Sequence, residues 1–358
     1  MDRRSGTTLS SKKEALMNIE SLRTAVVGCG GHGTNLAQAV RRSDHLQLVA
    51  CADIDVGAAR NAAALTDGAS AHGSVEELLG IADVDAVLIA TPHDALAPAA
   101  LAAIRAGKHV MIEKPMALNE EQAKEVEFAA ASAGVTCMVG YSFRYGMAAY
   151  LSKLLGEGAV GDIQAITGSI GTPPMTDDWV AQVRRGGGPM LYVGCHLMDL
   201  ALWFVGEEPT EVSADVSYRG GDGVDESSAV TLGFSGGRPA QFVVTQQASG
   251  FFYDLRIIGS AGFVGLCGRT FGQFEIDVQS EVLAAYKEPA TLRPRLWGDH
   301  ITTMLMPELA EFAAAVAEER PAAVTATDGR RVLRVIDAVA LSARTRQPVG
   351  LTPTLSAY

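Results

Sequence analysis

Leu22–Gly33 reads LRTAVVGCGGHG, a compact apolar run that stops at Gly28-Cys29-Gly30-Gly31-His32-Gly33. Beyond the last glycine, Leu36, Ala37 and Val40 recur at helical spacing, so the order is strand, glycine turn, helix. Such a turn cradles phosphate, because glycines let backbone N–H groups approach closely and the helix N-terminus carries partial positive charge. Glycine turns are common, and the context decides. A second strand, Leu46 to Ala52, delivers Asp53 20 positions after Gly33, where an adenine ribose would present its hydroxyls. The plainer reading of Asp53 is a helix cap. A carboxylate there accepts from a free 2′-hydroxyl and repels a 2′-phosphate, and Ile54 follows where an arginine could have held that phosphate. NAD is therefore the expected cofactor, with NADP as the alternative.

The alternation continues through a helix near Val75 to Leu79, a strand Ala86 to Ala90 closed by Thr91-Pro92, and a helix Ala95 to Ala106. A strand into Glu113-Lys114-Pro115, a helix Glu120 to Ala133 and a strand Thr136 to Val139 complete it. Interleaving at these spacings predicts a doubly wound parallel sheet with ligands along its carboxyl edge. Thr91, Pro92, His93, Glu113, Lys114 and Pro115 belong to that edge. Pro115 forbids a ladder hydrogen bond and a helical residue before it, which pins Lys114 at the strand's end. There a lysine can meet a substrate oxygen as cation or proton donor; the plainer reading is a surface lysine in a turn.

After Gly140 the runs become rich in Val, Ile, Thr and Phe: Ile163 to Gly168, Thr210 to Val216, Ser228 to Phe234, Gln241 to Gln246 and Leu255 to Ile258. Gly-rich turns such as Ser235-Gly236-Gly237 and Gly220 to Gly223 separate them, which predicts a large, mostly antiparallel open sheet. The expected organisation is a polar lead-in over 1–20, a Rossmann domain over 21–142 and an α+β substrate and oligomerisation domain over 143–358. The last helices, about Glu308 to Glu318 and Asp328 to Ala343, are expected to cover one face of the second sheet. Its other face is left for another copy, as a homodimer or homotetramer.

Gly186-Gly187-Gly188-Pro189 announces a helix on which Tyr192, His196, Asp199 and Trp203 share one face. Polar groups in an apolar stripe need partners or a cleft, so His196 and Asp199 are either site residues or satisfied buried groups. No histidine has metal-ligand spacing, so no metal is expected. The five cysteines (Cys29, Cys51, Cys137, Cys195 and Cys267) form no Cys-x-x-Cys pair and no disulfide framework, and a reducing cytoplasm is the expected compartment. A net charge of -12 argues against a nucleic-acid partner, and no apolar run reaches bilayer length.

From about Arg23 to Val349 the chain resembles the NAD(P)-dependent oxidoreductases of the glucose–fructose oxidoreductase, inositol dehydrogenase and MocA group. The likeness rests on the glycine turn, AGKHVMIEKPMAL (Ala106 to Leu118), GYSFRY (Gly140 to Tyr145), the GGG-to-His196 segment, and the C-terminal ELAEFAAAV and TDGRRVLRVIDA segments. The resemblance implies a Rossmann domain followed by a large open sheet, often paired across subunits. It implies that Lys114 sits near nicotinamide and the substrate hydroxyl, that His196 serves as acid or base, and that Pro115 holds the cofactor-proximal turn. Two positions depart. Tyr192 stands where relatives acting on cyclitols and sugars carry aspartate, either sharing proton transfer or filling an altered pocket; Leu96 stands where relatives place a histidine.

The expected reaction is hydride transfer between nicotinamide and a secondary alcohol carbon of a sugar or cyclitol, with Lys114, His196 and Tyr192 catalytic and with Arg144 and Trp179 also around the substrate. Arg144 is expected at the cofactor too. One rival is a sugar-nucleotide ketoreductase using Arg144, Arg184 and Arg185 on phosphates, unless these arginines are solvated or paired with acids. Others are an NAD-dependent glycosidase and a ligand-sensing regulator. Specificity is expected in loops such as Gly171 to Gln182.

Overall fold

In the computed structural model, residues 21–351 are described except 82, 176–178, 220–222, 271–272 and 295–298. The lead-in over 1–20, and positions 220–222 of the expected turn, lie outside the described residues. Ala25 and Val26 have no accessible surface, because β1 (Leu22–Val27) is flanked on both sides and covered on both faces. Its neighbours are β2 (Leu46–Ala52), β3 (Ser70–His72), β4 (Ala86–Ile89), β5 (His109–Glu113) and β6 (Cys137–Gly140), in the order β3-β2-β1-β4-β5-β6 and parallel throughout. The intervening helices are α1 (Gly31–Arg42), α2 (Val56–Ala63), α3 (Val75–Ile81), α4 (His93–Arg105) and α5 (Glu120–Ala133). The order reverses at β1 and β4, which opens a crevice at their carboxyl ends.

After α6 (Met147–Gly156), a second sheet of nine strands is built from β7 (Ile163–Gly171), β8 (Glu211–Arg219), β9 (Val224–Gly233), β10 (Pro239–Thr245), β11 (Phe252–Gly259), β12 (Gly262–Thr270), β13 (Gln273–Ser280), β14 (Ala290–Leu292) and β15 (Val349–Gly350). Every pairing is antiparallel except β7 with β10 at its centre. The inward residues of β10, Ala240, Phe242 and Val244, are buried, and the alternating Val243 is 48% exposed. That outward face is the surface through which the expected pairing of copies would have to run.

The sequence leaves β12 and β13 unread, since Gly262, Gly265 and Gly268 dilute one and Glu275 and Asp277 alternate through the other. A correction concerns the last helices. Only α9 (Ala326–Thr345) lies against the second sheet, over β8. The other, α8 (Met306–Ala317), turns Leu309, Phe312 and Val316 onto Leu36, Ala37 and Val40 of α1, in one buried cluster with the first sheet. The helix itself lies where it is expected; its partner is the opposite half of the chain.

Candidate active site

The glycine turn is tight because Gly33 has no Cβ: one placed there would lie 1.7 Å from the Gly28 carbonyl oxygen. Gly28 N–H donates to Ala52 O at 2.9 Å, and Cys29 N–H donates to Asp53 Oδ2 at 2.6 Å. Asp53 Oδ1 accepts from Asp55 N–H at 2.8 Å. The cap of α2 is Asp55, whose Oδ1 accepts from Gly57 and Ala58 N–H, so Asp53 stands at the crevice fastening the turn to the end of β2. Ile54 beside it is 94% exposed and offers no cation. Gly30 and Gly31 open α1.

His32 reaches from this turn to the end of β5, with Nε2 2.8 Å from Glu113 Oε1. Glu113 is buried, and its Oε2 also accepts from Lys114 N–H at 3.3 Å. Burial opposes charge on both groups, yet each holds the other charged: His32 titrates above the usual imidazole range and Glu113 below the usual carboxylate range. Thr91 and Pro92 close β4, the Thr91 hydroxyl donating to Pro92 O at 3.2 Å. Pro115 is buried behind Lys114.

The facing wall is the helix after Gly188, whose φ of +87° and missing Cβ leave room for Asp225. Asp225 Oδ2 accepts from Met190 N–H at 2.9 Å and anchors a π-helical turn, Met190–Gly194, that runs into α7 (Cys195–Val205). Lys114 Nζ crosses the cleft to this turn, donating to the Tyr192 carbonyl at 3.0 Å and sitting 4.7 Å above the centre of the Tyr192 ring. One turn on, His196 is 5% exposed and lies flat on Phe143, with ring centres 4.0 Å apart and planes 9° from parallel. Its Nδ1 is buried without a hydrogen-bond partner among the described residues. Burial, then the charges on Lys114 and His32, push its pKa well below the usual imidazole range, so His196 is neutral at neutral pH.

The predicted stripe therefore divides. Tyr192 and His196 face Lys114, whereas Asp199 turns inward to Arg144, which donates from Nε at 2.9 Å and from a terminal nitrogen at 2.6 Å. Trp203 packs 5.1 Å beneath the same guanidinium. Arg144, expected at the cofactor and substrate, is here engaged by Asp199: a bidentate pair of two buried groups fixes α7 against the chain leaving β6. Arg185 pairs with Asp94 at 3.6 Å. His93, expected beside the cofactor, packs against Trp179 edge to face at 4.6 Å, with Tyr192 at 6.1 Å. Its Nδ1 lies 2.7 Å from Gly186 O, and burial followed by Lys114's charge takes its pKa to about 3. Leu96 is fully buried in the core.

Three contributors escape the sequence. Phe143 lies within GYSFRY but its stacking is a tertiary fact; Asp225 sits in a strand; and Glu308 on α8 is fully buried, with neither carboxyl oxygen hydrogen-bonded among the described residues. No group of three or more His, Cys, Asp or Glu suited to a metal occurs among the described residues, and no described helix is long and apolar enough to cross a membrane.

Residues 22–141 match the family described as "Oxidoreductase family, NAD-binding Rossmann fold", and 148–264 match its GFO/IDH/MocA C-terminal domain. Inositol 2-dehydrogenase of Rhizobium meliloti is 27% identical over 92% of this chain and 99% of its own. A trans-1,2-dihydrobenzene-1,2-diol dehydrogenase of Xenopus laevis is 34% identical over 55% of this chain, a match spanning only 60% of that protein. Among solved structures, aldose-aldose oxidoreductase from Caulobacter crescentus complexed with glycerol superposes with a TM-score of 0.82 at 25% identity, over 93% of this chain and all of that one. A levoglucosan dehydrogenase complex with NADH and L-sorbose has the same fold (TM-score 0.84, 22% identity, 94% of this chain and all of that one). The tight glycine turn and the carboxylate fastened to it after β2 suit a dinucleotide, and the first domain is an NAD-binding Rossmann domain. With both halves matched in sequence and fold, the chain belongs to the GFO/IDH/MocA family of oxidoreductases.

Proposed function

We propose that the protein moves a hydride between NAD and a secondary alcohol or ketone carbon of a polyhydroxylated ring, a sugar or cyclitol. The observation that carries this reading is the position of the Lys114 ammonium: it spans the cleft to the carbonyl and the ring face of Tyr192, one helical turn before His196. Two walls far apart in sequence thereby meet on one small volume beside the glycine turn. Bound nicotinamide supplies the hydride acceptor. Asp53 accepts hydrogen bonds from the adenine ribose, and the absence of a cation at Ile54 favours NAD over NADP. Lys114 donates to the reacting oxygen of the substrate and polarises it. His196, neutral and desolvated, takes the hydroxyl proton in oxidation and returns it in reduction. Arg144 and Asp199 keep α7, and with it His196, at a fixed distance from Phe143. Trp179, Tyr192 and His93 give the substrate an aromatic flank that suits the apolar face of a saturated ring.

The dehydrogenase names of the relatives, which act on cyclic diols and on inositol, agree with this class. The sugar-nucleotide alternative loses support because Arg144 and Arg185 are engaged by Asp199 and Asp94. Replacing Lys114 by alanine is expected to keep NAD affinity within about twofold and to lower turnover on the best polyol substrate by about 100- to 10,000-fold. Near wild-type turnover in that variant would reject the assignment. Consumption of substrate with no net change in reduced nicotinamide would move the protein to the glycosidase reading.

A further inference from the structure

Within the glycine turn, His32 sends its side chain outward. From the end of β1 it reaches Glu113 at the end of β5, and β4 lies between those two strands, so the pair bridges the crevice above the end of β4. Asp53, at the end of β2, marks the adenine half on the opposite side of β1. The pair therefore belongs to the nicotinamide half. Nicotinamide is the part of the dinucleotide whose charge changes with oxidation state, being cationic when oxidised and neutral when reduced.

We propose that His32 and Glu113 form a proton-linked selector of cofactor oxidation state. With His32 protonated the pair is neutral overall; when His32 loses its proton the pair carries one negative charge beside the ring, which favours the oxidised cofactor over the reduced one. The proposal rests on the dinucleotide site alone and is independent of which substrate is turned over.

The surrounding groups leave this titration to His32. Glu113 raises the affinity of His32 for its proton above the usual imidazole range, against the effect of burial and of Lys114. His300, at the start of the π-helical turn Ile301–Leu305, has its ring centre 6.2 Å from that of His32; burial and then the charge on His32 lower its pKa, with Glu113 and Asp299 pulling the other way, so His300 gives up its proton before His32 does. His196 on α7 is held neutral. Glu308 on α8, buried and pushed far above the usual carboxylate range by burial and by Glu113, is neutral as well. Lys114 and Glu113 remain as the fixed charges. His32 keeps 39% of its side-chain surface exposed, so protons reach it from solvent and its effect is moderated by screening.

The full chain, without substrate, is titrated with NAD+ and with NADH from pH 6.0 to 8.5. The ratio of dissociation constants, oxidised over reduced, is expected to fall by about three- to tenfold as pH rises, the scale of a unit charge acting through partly screened medium. His32→Gln, which keeps a donor for Glu113 and cannot titrate, is expected to give a flat ratio. A flat ratio in the wild type, or the same slope in His32→Gln, overturns the proposal. Should that variant not fold, NMR titration of the His32 ring in the wild type decides: by reciprocal linkage its pKa should be lower with NAD+ bound than with NADH bound, and equal values in the two complexes overturn the proposal. Failure of both nucleotides to bind would instead reject the dinucleotide site, and the selector with it.

Discussion

On the sheet side of the cleft His32 has a carboxylate 2.8 Å away and stays partly wet; on the helix side His196 lies against Phe143 with Nδ1 sealed and unpartnered among the described residues. The first imidazole is biased toward its charged form and the second away from it, although both begin from an ordinary value near 6.5. Their linkage to folding has opposite sign. His32 contributes stability that is full below about pH 6.5 and lost as pH rises through its raised folded value. His196 removes stability as pH falls below about 6.5, because the unfolded chain takes up a proton that the native site refuses. Residue type therefore does not fix a histidine's role; the presence of a carboxylate and the exclusion of water do.

The comparison breaks most severely if the dry wall is dismantled. Replacing Arg144 by alanine leaves Asp199 buried and uncompensated, for an expected loss of about 3–5 kcal/mol measured by denaturant unfolding. A loss below about 1 kcal/mol would mean that the pair does not hold α7. A smaller, sharper test is Phe143→Leu, which admits water to His196. The acid limb of the kcat/KM profile should then move upward by about one pH unit, toward the ordinary imidazole value. An unmoved limb would show that Phe143 is not what keeps His196 neutral. Smallest of all is Tyr192→Phe: Lys114 meets its carbonyl and ring face, both of which phenylalanine retains, so turnover should change by less than about threefold. A drop of a hundredfold would assign proton transfer to the phenol.

The wet wall was largely legible in the sequence, because its logic is local. Glycines must follow β1, a carboxylate follows β2, and Pro115 fixes Lys114 at the end of β5, each readable within a dozen residues. The dry wall was legible only in outline. Helical spacing put Tyr192, His196 and Asp199 in one stripe, but not which of them would face inward; that depends on Arg144, 55 residues away, whose guanidinium could equally have met a phosphate. The neighbours of His93 were illegible for a similar reason, since nothing in Thr91-Pro92-His93 announces Trp179 or the Gly186 carbonyl. The helix over 308–318 was legible too, but its expected partner is the second sheet, whereas it packs on α1, and glycines hid β12.

That last packing makes the two halves inseparable in practice. Leu36, Ala37 and Val40 of α1 are roofed by Leu309, Phe312 and Val316, which the ribosome adds some 270 residues later. A fragment cut after residue 142 would emerge with a greasy, unroofed flank on the very helix that opens at the phosphate-binding turn.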